Sequence, residues 1–211
     1  MFGDQPLQKV DKIKFLGVSI DHKLSWDNHI RTLTNKARVT VGQLYDIRRT
    51  IPNNLKNCVY NALVNSQMSY AISVWGGSAC GDKLKHLFKI QKMALRTLFN
   101  VKRVSKFIKG HTKGVFSEHG ILTIYNVYNY MTIINIRKLM KLEAPLFLYR
   151  LLNLHIYNSN NSRLYLPKLK LNQYQNNFCY QAPKLWNTLI SSPTYCSSIT
   201  EARRLPILNQ N

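Results

Sequence analysis

Between Lys12 and Asp21 apolar and polar residues alternate with the two-residue period of a strand. Leu16, Val18 and Ile20 fall on one face, Ile13 and Phe15 on the other. Gly17 interrupts the run, as expected where a strand bulges or another backbone approaches closely. Asp21-His22-Lys23 reads as a turn, and the period then lengthens. Ser25 suits a helix N-cap, and Asp27 puts a carboxylate in the first turn, where the helix dipole favours negative charge. Ile30, Leu33, Ala37, Val41, Leu44 and Ile47 follow at spacings of three and four, which predicts a long amphipathic helix to about Arg49.

Thr50-Ile51-Pro52-Asn53-Asn54 breaks that helix, and Pro52 suits the entry of the next, whose apolar positions are Leu55, Val59, Ala62 and Leu63. A short apolar stretch from Tyr70 to Trp75 is closed by Gly76-Gly77. A clear helix spans Asp82 to about Phe99, with Leu84, Leu87, Phe88, Gln91, Leu95 and Leu98 inward. A polar, glycine-containing connector from Asn100 to Gly114 precedes another helix, about Ile124 to Leu142. Pro145 and Pro183 read as first-turn prolines of two shorter helices, and Asn158 to Asn177, rich in Asn, Tyr and Gln, as irregular chain. No fixed-period repeat is visible. The expected architecture is mainly α, a helical bundle with a short N-terminal β-strand or hairpin and a loosely structured C-terminal tail. Its divisions are 1–24, 25–143 and 144–211.

Charge changes this picture more than any other property. Thirty Lys and Arg stand against nine Asp and Glu, a formal net charge of +21. Such a fold repels itself unless a polyanion supplies the counter-charge. Between Asp82 and Glu118 no acidic residue occurs, while Lys83, Lys85, Lys89, Lys92, Arg96, Lys102, Arg103, Lys106, Lys109 and Lys113 do. Lys85, Lys89, Lys92 and Arg96 are spaced four, three and four, so they form one stripe away from the apolar face. An ordinary solvated face alternates signs and gains from Glu–Lys pairs one turn apart, and here no Glu is present to pair. A single-sign row leading into a basic connector suits a phosphate backbone, whose contacts position a strand without reading its sequence. Tyr125, Tyr128 and Tyr130 are candidates for base stacking, but their helical spacing with Ile121 and Thr132 favours packing on the core.

Catalytic and metal chemistry find little support. The nine acids include no Asp-Asp pair, whereas two-metal phosphoryl transfer needs carboxylates converging on ions about 4 Å apart. Asp21-His22 and Asp27-His29 are explained by turn and capping roles, and Glu118-His119 with His111 lacks a third partner at a fixed spacing. Cys58, Cys80, Cys179 and Cys196 are too scattered for a disulfide framework or a zinc knuckle, which suits a reducing compartment. Residues Met1 to Pro6 lack the marks of a signal peptide, and Ile121 to Leu142 is too polar for a membrane span. The expectation is an intracellular protein that does not enter a membrane and needs no cofactor.

Several of these features occur together in one known family. Lys14-Phe15-Leu16-Gly17-Val18, Ile20-Asp21, Leu24, Trp26 and His29-Ile30 resemble the segment just after the palm in jockey-like LINE (non-LTR retrotransposon) reverse transcriptases. Tyr70-Ala71 with Val74-Trp75-Gly76, Ile90-Gln91-Lys92 with Arg96, and Phe116 with Gly120-Ile121-Leu122 resemble later motifs of that family. So do Phe178, Tyr180, Pro183 and Leu185-Trp186-Asn187 with Leu189, although Ile190 stands where the family usually has Pro. The resemblance implies that Phe15, Leu16 and Gly17 correspond to the primer-grip hairpin and the following helices to the thumb and connection. It also implies a piece of an RNA-directed DNA polymerase without the palm carboxylates that bind magnesium in the parent enzyme, with chromosomal integration pointing to the nucleus.

On this reading the chain does not polymerise DNA by itself and retains nonspecific binding of RNA or DNA. Lys85, Lys89, Lys92, Arg96, Lys102, Arg103 and Lys106 carry the backbone contacts. The alternatives are a repurposed helical module binding a protein partner at the former palm interface, and a truncated element whose product has no function.

Overall fold

The computed structural model describes residues 9–77, 82–101, 111–141, 143, 156–157, 163–168, 175 and 177–190. The fold is mainly helical, with a short antiparallel strand pair at its N-terminal end. Strand β1 (Lys12–Phe15) pairs with β2 (Val18–Asp21), Lys12 opposite Asp21 and Phe15 opposite Val18. Leu16 and Gly17 connect them with φ of 45° and 82°, the positive values a tight two-residue hairpin turn requires. Of the expected strand or hairpin, the structure has the hairpin. Leu16 lies in the turn instead of sharing a face with Val18 and Ile20, and those two residues oppose Phe15 and Ile13.

The entry to helix α1 (Asp27–Ile47) also differs from expectation. Trp26 occupies the cap position in a left-handed conformation (φ 63°) and makes no side-chain cap bond. Ser25, one residue earlier, accepts from Asp27 N–H at 3.4 Å through its hydroxyl and also serves an Asp21-centred clasp. The Asp21 carboxylate accepts from the backbone N–H of Lys23, Ser25 and Trp26 at 2.9–3.0 Å and from the Ser25 hydroxyl at 3.0 Å. These donors, led by the Ser25 N–H, hold the Asp21 carboxyl below the usual carboxylate range. Asp21 thus has the turn-forming role its sequence position suggested. Along α1 the predicted stripe is buried from Ile30 to Leu44, but Ile47 is exposed. His29 joins the inner face, where it accepts a hydrogen bond from Ser19 N–H at Nδ1 (3.5 Å) and sets its ring edge-on to Trp75 (5.4 Å between centroids). Burial, then the nearby Lys36 charge, lowers the His29 pKa and favours the neutral ring.

After Pro52 a 3-10 turn (Asn53–Leu55), α2 (Lys56–Tyr60), a π-helical segment (Asn61–Asn65) and α3 (Ser66–Ser69) run on as one rod. Its buried positions are Tyr60, Val64 and Met68, while Leu55, Ala62 and Leu63 are exposed and Val59 is half-buried. The expected face was thus wrong in phase from the first turn, before the π segment begins: Leu55, Val59 and Leu63 share one four-residue spacing and Tyr60, Val64 and Met68 another, and the second is the one that packs inward. Helix α4 (Ile72–Trp75) follows a left-handed Ala71. A methyl at Gly76 would stand 2.5 Å from the Ile72 carbonyl oxygen and 2.6 Å from Tyr128 Cδ2, so glycine permits the close seat of α4 on α7.

Helix α5 (Asp82–Leu98) buries Leu84, Leu87, Gln91, Leu95 and Leu98 as anticipated, with Phe88 half-buried. Helix α6 (His111–Glu118) begins inside the segment expected to be a connector, because Val115 and Phe116 bury against the core and Phe116 meets Phe88 (5.9 Å between centroids). Helix α7 (Ile124–Met140) is capped by Thr123, whose hydroxyl accepts from Asn126 N–H at 3.3 Å. Strands β3 (Ile156–Tyr157) and β4 (Arg163–Leu164) pair within and beside the stretch expected to be irregular, and helix α8 (Phe178–Ile190) packs on α7. Asn187 clamps β4 by accepting from Leu164 N–H (2.8 Å) and donating to Leu164 C=O (2.7 Å). Pro183 lies inside α8 instead of in its first turn, and Pro145 lies outside the described residues.

Two apolar clusters result. One joins β2, α1, the α2–α3 rod, α4, α5, α6 and the first half of α7. The other joins Ile133 and Ile136 of α7 to Leu164 and to Ala182, Trp186 and Leu189 of α8. Gln91 ties α5 to the first cluster's polar seam. It donates to the Tyr60 hydroxyl (2.8 Å) and the Leu122 carbonyl (2.9 Å), and it accepts from Ile124 N–H (2.9 Å). Burial pushes the Tyr60 phenol up to about 12, so it stays protonated.

Candidate nucleic-acid interface

Helix α5 owes its outer face to its inner one. Leu84, Leu87, Ala94, Leu95 and Leu98 fix its rotation against α1 and the rod, which leaves Lys85 and Lys89 exposed and Lys92 and Arg96 half-buried along one line. The Lys92 ammonium lies 4.5 Å from the centroid of the Phe88 ring, within cation–π range. Partial burial, then the charges of Arg96 and Lys89, pull the Lys92 pKa below the usual lysine value. The two neighbouring charges act on Lys92 through space, so the stripe is an electrostatic unit as well as a sequence pattern.

Not every cation of α5 belongs to it. Lys83 Nζ lies 2.8 Å from Asp27 Oδ1 and donates to Ser25 C=O at 2.7 Å, which fastens the start of α5 to the start of α1. The Lys83–Asp27 hydrogen bond is the main cause holding the Asp27 carboxyl below its ordinary value. Among the described residues, no carboxylate lies within ion-pair distance of Lys89, Lys92 or Arg96. The Arg96 Nε–H is buried without a hydrogen-bond partner. Such a row lowers the potential energy of an incoming polyanion and raises that of the protein alone.

The other expected contacts divide. Lys102, Arg103 and Lys106 lie outside the described residues. Phe15, Leu16 and Gly17 sit at the tip of the hairpin, with Phe15 60% and Leu16 74% exposed. That tip is held by Tyr70, whose hydroxyl donates to Leu16 C=O at 2.6 Å and whose Cε1 would lie 3.6 Å from a methyl at Gly17. Its anchor is thus the joint between α3 and α4 and not α5. Tyr128 is buried and Tyr125 sets its ring edge-on to Phe88 (5.5 Å between centroids), so both pack on the core as their spacing favoured. Tyr130 is half-buried.

Sequence reasoning missed one concave surface, between the α2–α3 rod and the turn joining α6 to α7. Its signal was present as Asn57, Asn61 and Asn65 at four-residue intervals, but an apolar-face reading passes over amides. Among the described residues, no group of three or more His, Cys, Asp or Glu side chains is placed to hold a metal ion. No described helix is long and apolar enough to cross a membrane. The chain matches no protein-family model, no curated protein and no solved structure.

Proposed function

We propose that this chain is a nucleic-acid-gripping helical module of the kind that follows the palm in non-LTR retrotransposon reverse transcriptases, and that its own contribution is nonspecific hold on the phosphate backbone. The observation carrying this reading is the α5 stripe, where Lys89, Lys92 and Arg96 lie together with no described carboxylate near enough to neutralise them. Counterion release drives such binding, with Kd on the order of 10⁻⁴ to 10⁻⁶ M at physiological salt. No catalytic role is assigned to any residue.

Titration of single-stranded RNA, single-stranded DNA and duplex across a salt series tests it. The expected result is a steep loss of affinity with salt. Reversal of the stripe (K85E, K89E, K92E, R96E) flattens the log–log slope by about 3 on single strands and nearly 4 on duplex, about 0.7 to 0.9 per lost phosphate contact. Salt-independent binding, or a slope untouched by the reversal, overturns the reading.

A second reading rests on a separate observation. Ile13, Phe15 and Leu16 on the hairpin, Tyr70 against its tip and Val74 on α4 are all more than half exposed. An apolar surface of this kind suits a protein partner. Binding of such a partner would survive the stripe reversal, while nucleic-acid binding would not.

A further inference from the structure

The β1–β2 hairpin has two outer edges, and the fold treats them differently. In an antiparallel pair joined by a two-residue turn, the residues flanking the turn exchange backbone hydrogen bonds, and every second pair after them does the same. Phe15 with Val18 and Ile13 with Ile20 are therefore the bonded pairs, and His22 N–H, donating to Asp11 C=O at 3.2 Å, continues the series. Lys12, Lys14, Ser19 and Asp21 turn their main-chain groups outward. On the β2 side that edge is met by α1, because Ser19 N–H donates to His29 Nδ1 at 3.5 Å. On the β1 side, among the described residues, no further strand pairs with Lys12 or Lys14.

The side chains repeat this asymmetry. Directly opposed residues share a face, so Ile13 and Phe15 lie on the face of Val18 and Ile20. Val18 is buried and Ile20 packs against the first apolar cluster, whereas Ile13 is 56% and Phe15 60% exposed. The apolar face thus runs past the core and stops at an uncovered edge. Lys12 and Lys14 occupy the other face, both exposed. Lys12 stands opposite Asp21, but that carboxylate is engaged by its clasp with Lys23, Ser25 and Trp26. Among the described residues, no carboxylate lies within ion-pair distance of either lysine. Two strands alone make a marginal sheet, and a third with an apolar row completes one.

We infer that the outer edge of β1 receives an extended acidic segment of a partner protein as a third strand. The main chain of that segment pairs with the N–H and C=O groups of Lys12 and Lys14. Its apolar residues lie beside Ile13 and Phe15 and its carboxylates beside the two lysines, the alternation that a strand supplies. A nucleic acid has no repeating N–H and C=O groups to match this edge. A second copy of β1 would set lysine against lysine, and the charges that guard an edge against its own kind select a strand of opposite charge. The inference rests on the protein-partner reading of the hairpin and specifies its occupant.

The test titrates the whole chain with a short synthetic peptide of alternating Glu and Val, with hydrogen exchange followed by NMR. The expected result is saturable binding that slows exchange most at the Lys12 and Lys14 amides. A Lys–Val peptide binds about tenfold less tightly, and the K12E/K14E variant inverts that preference. Ile13→Ser with Phe15→Ser weakens binding about tenfold. Lys14→Pro, which deletes an outward N–H that β2 does not use, removes binding, as does methylation of the peptide's backbone nitrogens. Equal binding by the methylated peptide, or weakening by the serine pair without protection at Lys12 and Lys14, overturns the edge and leaves the apolar-surface reading standing. Absence of binding in every arm overturns both. Protection of the two amides in the chain alone also overturns the inference: if it rises with protein concentration the edge belongs to a second copy, and if it does not, to a segment of the chain itself.

Discussion

Helices α5 and α7 have the same length, seventeen residues, and use their surfaces in opposite ways. Helix α5 is divided, with Leu84, Leu87, Leu95 and Leu98 inward and Lys85 and Lys89 in solvent. Helix α7 is covered on most sides. Ile124, Val127 and Tyr128 serve the first apolar cluster, Ile133 and Ile136 the second, and Asn126, Thr132 and Arg137 are buried among them. A helix with one committed face is free to gather like charges on the other, because its rotation is already fixed by packing. A helix shared by two cores has no such spare face, and its job is to hold them together.

The sharpest way to break this contrast is to truncate inside α7. Ile136 is fully buried in the second cluster, and Ile136→Ala is expected to cost about 3 kcal/mol, read as a lower urea midpoint. An effect below about 1 kcal/mol would mean that α7 does not join the two cores as described. A smaller loss, about 2 kcal/mol, is expected for Gln91→Leu, which strands the Tyr60 hydroxyl, the Leu122 carbonyl and the Ile124 N–H. Because these bonds tie α5 to the start of α7, hydrogen exchange at the Ile124 amide should accelerate along with the change in midpoint.

On the outer face of α5 the same measurement should register almost nothing. Lys89→Gln is expected to change stability by no more than about 0.5 kcal/mol. It should also bring the Lys92 pKa part of the way back towards 10.5, since it removes one of the two neighbouring charges and leaves burial, the largest cause, in place. NMR titration of the Lys92 ammonium reads this directly. An unmoved Lys92 would mean that the stripe's members do not feel one another.

How much of this was visible in the residues follows from the same contrast. The division of α5 was largely legible, since Leu84, Leu87, Gln91, Leu95 and Leu98 and the cationic row obey one helical period, although buried Ile90 and Ala94 were not among the expected inward positions and Lys92 and Arg96 are half-buried. The wall of amides along the rod was not, and neither was the rod's inward face. The sequence offers two apolar rows there at the same spacing, Leu55, Val59 and Leu63 beside Tyr60, Val64 and Met68, and periodicity alone does not say which one packs inward. Helix α6 escaped notice because only Val115 and Phe116 anchor it, and two apolar residues carry no period. In the hairpin, Gly17 marked an interruption, but only the pairing of Phe15 with Val18 places Leu16 and Gly17 in a turn rather than in a bulged strand.

The chain by itself determined the helical character, the long faces of α1 and α5, and the excess of cations over carboxylates, because each is a local or additive property of residue order. Only the tertiary structure decided which amides line a cleft, that Asp21 rather than Ser25 organises the entry to α1, and that α7 stands between two cores. Those outcomes depend on where elements distant in sequence meet, and steric fit and hydrogen-bond satisfaction settle them only once the elements are packed.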